Sequence, residues 1–326
     1  NRQRPRHSLP TISRKGLRMK ILITGAFGNL GLMCVEEALS QGHEVRCFDL
    51  ESKQNRKNKR RYSSRCHVVL GDIRDTALHP KLLDGIDAVI HNASLLPPLS
   101  ENQPELADAI NVGATTALIS SMESCKSPPR LIFPSSVTVY GKALLGESER
   151  TLSDSVTVSD NYTRHKLAIE KTLQESALPW VILRVGVSVD ARTLKTDRAT
   201  LRQLLNVHPD SPLEFVHPKD VALAMCNAAS SVEANHKILL LGGGKNCQIR
   251  HRRFISTAFS ALSLNFPEHA LKSQDTYYTH WLDSSEAQKL LNFQNHSFED
   301  YEQELANRMR LFRIGLHPLR PLLDCL

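Results

Sequence analysis

The stretch KILITGAFGNLGLMCVEEALSQG, Lys20–Gly42, decides how the rest of the chain is read. Its first five residues are a strand-length run, largely apolar, that stops at glycine. From Asn29 the apolar side chains recur at helical spacing until Gly42 ends them. Between the two lies TGAFGNLG, Thr24–Gly31, with glycines at 25, 28 and 31. At a strand–turn–helix junction, Gly25 permits the tight turn, Gly28 lets backbone approach an anionic ligand, and Gly31 lets the helix pack close to the strand. The helix N-terminus adds free N–H groups and a partial positive charge facing that anion. A lone glycine pattern is weak; here its context is the one the chemistry requires.

The same alternation continues outward. HEVRCFDL, CHVVLGD, DAVIHNAS, RLIFPSS and PWVILRVG read as further short apolar strands. QPELADAINVGATTALISSMESC and DNYTRHKLAIEKTL have helical spacing between them. Short buried strands separated by helices predict a doubly wound parallel α/β sheet of the Rossmann type. That domain runs over residues 19–184. Residues 185–326 predict mainly a smaller mixed α/β lobe for substrate, with LEFVH and KILLLGGG extended. Helices are expected there in TDRATLRQLLNVH, in PKDVALAMCNAASS, and over 250–262, 284–291 and 298–313.

The chain has 326 residues, 41% hydrophobic and 23% charged, as an ordinary globular enzyme would. No apolar run approaches the ~20 residues that span a bilayer. Residues 1–18 hold five Arg and one Lys without an acid, and taking those six charges from the net +7 leaves +1. That is no footprint for nucleic acid, and the segment reads as a basic tail, disordered or vector-derived. The seven cysteines show no C-x-x-C and no zinc-like spacing, so no metal site is expected and a reducing, cytoplasmic compartment fits.

In a doubly wound sheet the strand ends share one crevice, so their motifs can be read together. Asp49 ends the second strand, 18 residues past Gly31, where an acid accepts from the ribose hydroxyls of a dinucleotide. Its carboxylate repels a 2′-phosphate, which favours NAD over NADP. The basic run Glu51–Arg65, with seven Lys and Arg, is a solvated loop or the clamp that would keep NADP open. Asp72 and Ile73 in GDIRD end the third strand, where Asp72 would meet the adenine amino group. Asn92, Ala93 and Ser94 in HNAS end the fourth. Phe27, Asn29 and Leu30 complete the glycine turn. Tyr162 and Lys166, four residues apart, share one face of their helix.

In this order the motifs resemble the extended short-chain dehydrogenase/reductases of the NAD-dependent epimerase/dehydratase type, over about residues 19–300. The resemblance implies that Asn111 in INVGAT belongs to the cofactor site and that Ser136 in FPSSVTVYG joins Tyr162 and Lys166 in a catalytic triad. Ser135 is the competing serine. Tyr162 would then be the acid/base, Ser136 would steady the reacting oxygen, and Lys166 would lower the phenol pKa and hold the nicotinamide ribose. Arg164 and His165 are taken as surface residues, His217 and Asp220 as structural anchors of the second lobe. Family dehydratases carry an Asp-Glu pair where Val137 and Thr138 stand here, so dehydration is not expected. The insert between Arg184 and FVHPKD is short for a nucleotide-sugar epimerase; Arg192, Lys195, Arg198 and Arg202 could grip a diphosphate, or be a solvated face. The implied activity is hydride transfer between NAD and a secondary alcohol or ketone, on a sugar, nucleotide-sugar or smaller substrate, in a homodimer. A non-catalytic dinucleotide sensor on the same fold is the alternative; such relatives commonly lose the Tyr, Lys or Ser, and all three are present.

Overall fold

Ile21, Leu22 and Ile23 are each fully buried, which a strand allows only when both faces of its sheet are covered. In a computed structural model, which describes residues 18–193, 204–263, 266, 271 and 273–316, these residues lie in the middle of such a sheet. The strands are β1 (Lys20–Thr24), β2 (Glu44–Asp49), β3 (His67–Leu70), β4 (Ala88–His91), β5 (Arg130–Ser136), β6 (Trp180–Val185), β7 (Pro212–Glu214), β8 (Lys237–Leu241) and β9 (Gln248–Arg250). Seven of them run parallel in the order β3-β2-β1-β4-β5-β6-β8. The order reverses between β1 and β4, and that switch point opens the crevice in which such sheets bind ligands.

The helices are α1 (Asn29–Ser40), α2 (Lys53–Tyr62), α3 (His79–Leu83), α4 (Leu99–Asn102), α5 (Pro104–Asp108), α6 (Thr115–Glu123), α7 (Asn161–Glu175), α8 (Pro218–Ser230), α9 (His251–Ala261), α10 (Ser285–Leu291) and α11 (Phe298–Leu316). Ile21 and Ile23 face one core with Cys34, Val35 and Ala38 of α1 and the apolar stripe of α8. Leu22 faces the other, with Leu118, Ile119 and Met122 of α6 and Ile169 and Leu173 of α7. β8, expected within the second lobe, pairs with β6 and extends the main sheet, and α8 covers it. The sheet therefore draws residues from both sides of Arg184.

Two expectations are corrected. Glu51–Arg65 is not a loop: Lys53–Tyr62 is helical. The Ser52 hydroxyl accepts from the Asn55 N–H at 3.0 Å, a helix N-cap, and Lys59, Arg60 and Arg61 sit in the last turn, where the helix dipole favours cations. Tyr62 holds the helix down, buried and donating to Glu36 at 2.7 Å. His165 is not on the surface but 1% exposed. Between α5 and α6 the backbone makes a π-turn over Ala109–Ala114, and Asn111 within it lies 3.2 Å from the His165 ring. Arg164 is exposed, as expected, and pairs with Asp108 at 2.9 Å. Residues 1–17, Lys195, Arg198 and Arg202 lie outside the described residues.

A smaller lobe forms around the antiparallel pair β7–β9, with Phe215, Phe298 and Tyr301 in its core. His217 caps α8, accepting from the Lys219 N–H at 3.2 Å, and stacks on His296 with ring centroids 4.3 Å apart. Asp220, fully buried, accepts from the N–H groups of Asn295 and His296 at 3.0 and 2.9 Å and meets the His296 ring at 2.6 Å. Truncating it leaves those donors without a partner, at about 2–4 kcal/mol. Asp220→Ala should therefore lower the urea midpoint with the slope unchanged; a change under about 0.5 kcal/mol would mean the carboxylate does not anchor this segment.

Candidate active site

Packing between backbones builds one wall of the crevice. Gly25 has φ +60°, and a side chain there would come within 2.8 Å of the Asn92 and Ala93 backbone. A methyl at Gly31 would overlap the Gly25 carbonyl oxygen. Gly28 begins α1 with extended backbone and no side-chain cap, so the first-turn N–H groups keep their capacity to meet an anion.

The crevice is a cavity of about 880 Å³ along the C-terminal ends of the strands. Gly25, Phe27, Gly28, Asn29, Leu30 and Gly31 line one end, and Asp49, Asp72 and Ile73 line the floor beside them. Asn92, Ala93 and Ser94 lie in the middle, and Ser136, Tyr162 and Lys166 at the far end. Asp49 accepts from the Phe27 and Leu50 N–H groups at 2.7 Å each and from Asn55 Nδ2 at 3.1 Å. Burial holds its carboxyl above the usual range, against those hydrogen bonds. Asp72 is gripped by the Arg74 guanidinium, which holds its carboxyl below that range. The Asn92 side-chain oxygen is buried on the cavity wall with no partner among the described residues.

Asn111 does not reach this wall. It sits behind it, 6% exposed, accepting from Ser94 Oγ at 3.1 Å and the Leu95 N–H at 2.7 Å and donating to the Leu95 carbonyl at 2.9 Å. It holds the loop after β4 in place.

The catalytic candidates meet where α7 crosses the end of β5. Asp160 caps α7, its carboxylate accepting from the Thr163 N–H at 2.7 Å, and Glu101 of α4 accepts from the N–H groups of Asn161 and Tyr162 at 3.2 and 3.1 Å. Ser136 lies beside Tyr162 and favours the charged form of its phenol. Thr138 donates to Ser136 Oγ from its N–H at 3.2 Å and its hydroxyl at 2.9 Å, leaving the Ser136 proton to be donated. Ser135, the competing serine, donates instead to Glu170 at 2.5 Å. Lys166, 5% exposed, donates to the Pro134 carbonyl at 2.6 Å and sits 5.4 Å from the Tyr162 ring centre.

Burial dominates the electrostatics here. It pushes the Tyr162 phenol up to about 12, with Ser136 pulling the other way. It brings the Lys166 ammonium down to about 8, opposed by Glu170. His91, between the hydroxyls of Thr24 and Thr115 at 2.8 and 3.0 Å, is pushed to about 3 and stays neutral. Sequence reasoning passed over Glu101 and Glu170, and read Thr138 only as the place of a missing dehydratase acid, not as a donor to Ser136. Glu170 left a signal, standing four residues after Lys166 as Lys166 stands four after Tyr162.

A family model described as the NAD dependent epimerase/dehydratase family matches residues 21–242. D-erythronate dehydrogenase of Cupriavidus necator is 25% identical over 259 residues, 69% of this chain and 77% of that protein. The 3 beta-hydroxysteroid dehydrogenase/Delta 5-->4-isomerase of Mycobacterium tuberculosis is 28% identical over 159 residues, where the match spans only 41% of that protein. A UDP-glucose 4-epimerase of Klebsiella pneumoniae is 33% identical over 131 residues, 38% of this chain and 93% of that one. The fold is shared with UDP-glucose-4-epimerase of Stenotrophomonas maltophila, crystallised with NAD and formylated UDP-arabinopyranose, at TM-score 0.73 and 21% identity over 91% of this chain and all of that one. It is shared as well with the dTDP-glucose 4,6-dehydratase DesIV of Streptomyces venezuelae, at TM-score 0.73 and 20% identity over 92% and 100% of the two chains.

Burial of the phenol has a direct readout in the free protein. The ultraviolet difference titration of wild type against Tyr162→Phe should show the Tyr162 phenolate only near pH 12. A transition at the ordinary phenol value of about 10 would mean that burial does not govern this group.

Proposed function

Because the chain belongs to the NAD-dependent epimerase/dehydratase family, we propose that it moves hydride between NAD and a secondary alcohol or ketone, with Tyr162 as the acid/base. The observation that carries this reading is the meeting of Ser136, Tyr162 and Lys166 on one wall of a long cleft. The other end of that cleft fits a dinucleotide: an uncapped helix N-terminus for the phosphates, glycines that keep side chains out, and the orphaned Asn92 oxygen. Asp49 would take the adenosine ribose hydroxyls, and its charge disfavours a 2′-phosphate. The bound cofactor accepts hydride when oxidised and donates it when reduced, and its positive charge when oxidised favours a phenolate nearby.

The residues of the chain handle the proton. In oxidation, Tyr162 as phenolate would take the proton of the substrate hydroxyl, whose carbon gives up its hydrogen as hydride. In reduction, the phenol returns that proton to the carbonyl oxygen. Lys166 lies close enough to the ring for its charge to favour the phenolate, which offsets the burial that otherwise keeps Tyr162 neutral. Ser136, its oxygen already holding two donors from Thr138, has its proton free for the developing oxyanion.

For substrate we propose a small polyhydroxy alcohol or sugar, in line with the D-erythronate dehydrogenase that matches most of this chain and with the short insert before Phe215. The same groups acting twice on one retained cofactor would make an epimerase. NAD that co-purifies with the protein supports that outcome, whereas an empty protein that releases NADH from an alcohol supports a dehydrogenase.

Tyr162→Phe should cut turnover by about a hundredfold or more while NAD binding, read by calorimetry, stays within about twofold. Retained turnover would remove Tyr162 from its role. The same calorimetry should show NAD binding more tightly than NADP; the reverse would transfer recognition of the ribose from Asp49 to the basic face of α2.

A further inference from the structure

Three residues on one face of α7, one turn apart, meet the end of β5, and two of them bond to it: Lys166 donates to the Pro134 carbonyl at 2.6 Å and Glu170 accepts from Ser135 at 2.5 Å, while Tyr162 lies beside Ser136. Glu170 is 2% exposed and also takes Arg184 of β6 in a two-point pair, Nη2 to Oε2 at 2.7 Å and Nε to Oε1 at 3.1 Å. Arg184 in turn donates to the Tyr140 hydroxyl at 2.7 Å. Burying an ion pair is costly in desolvation, and apolar residues of similar size often serve stability as well. The pair therefore calls for an account beyond stability.

Charge supplies that account. Two buried cations, Lys166 and Arg184, face one buried anion. The other titratable groups around Lys166 are Tyr162 and His165 on α7 and His91 on β4, and burial works against the charge of both histidines. We propose that Glu170 is a positioning residue for the reaction: its carboxylate is the counter-charge that Lys166 shares with Arg184, and the peg that registers the Tyr162 helix on the end of β5. This rests on the hydride-transfer reading above. Of the groups acting on Lys166, Glu170 is the one that opposes the effect of burial. Without its charge Lys166 gives up its proton more readily, and Tyr162 loses the cation that favours its phenolate. Glu170 is two turns from Tyr162, so its own repulsion of a phenolate is the weaker effect.

Glu170→Gln keeps an acceptor for Ser135 and removes the charge. Alcohol oxidation at neutral pH should fall about tenfold or more, and its rise with pH should move up by about one unit, with KM for the alcohol little changed. The double variant Glu170→Gln/Arg184→Met removes both members of the buried pair, so thermal stability should recover while the pH profile stays displaced. An unmoved profile in the single variant overturns the proposal. A profile that returns to wild type in the double variant does so too, because Glu170 would then act only as the partner of Arg184. The Lys166 ammonium titration, read by NMR of its side-chain carbon against Lys166→Met in each background, should move down from about 8 in both variants and needs no turnover. It separates failure of this proposal from failure of the hydride-transfer reading.

Discussion

At Gly31 there is no room for even a methyl group, because the Gly25 carbonyl oxygen already occupies that space. This contact fixes where α1 starts relative to β1. It turns the free N–H groups of the first turn toward the crevice instead of burying them under a side chain. Gly25 is crowded in turn by the backbone that follows β4, at Asn92 and Ala93, so the turn is clamped between the ends of the two strands at which the sheet order reverses. The cavity is the space left outside those clamped backbones, which is why a small change in either glycine would alter its whole phosphate end.

At the opposite end, water exclusion sets the terms. Desolvation disfavours the charged form of both the half-buried Tyr162 phenol and the buried Lys166 ammonium. The Lys166 ammonium lies 5.4 Å from the Tyr162 ring centre, so a charged lysine favours a phenolate there. A nearby carboxylate bound directly to Tyr162 would repel the phenolate. Here the acids make no bond to the phenol: Glu101 and Asp160 satisfy backbone donors at the start of α7, where the Asp160 charge still raises the phenol, and Glu170 lies two turns away.

Much of this was legible in the chain because the signals are local. An apolar run ending in T-G-x-x-G-x-x-G, acids at strand ends, and Tyr and Lys one helical turn apart each follow from a few adjacent residues. What escaped was set by distant contacts. The basic run over Glu51–Arg65 looks solvated by composition, yet one serine cap and one buried tyrosine make it a helix. His165 reads as a surface residue from its charged neighbours, but the π-turn carries Asn111 into contact with it. KILLLGGG is plainly a strand, and only tertiary packing decides that it joins β6. Asn111 itself stands one layer behind the cavity, holding the loop on which Ser94 and Leu95 sit.

Val137 and Thr138 narrow the chemistry further. Val137 is buried in an apolar cluster with Leu240 and Leu282, away from the residues that line the cavity, and brings no acid to it. Thr138 spends its hydroxyl on Ser136, and it donates its backbone N–H to the same oxygen. Both bonds occupy the Ser136 oxygen as an acceptor and leave its proton to be donated elsewhere. A carboxylate at 138 could accept from Ser136 but not donate to it, and the serine proton would be drawn off the substrate oxygen. The threonine therefore suits the proposed reaction, in which the serine would steady an oxyanion and Tyr162 would carry the proton.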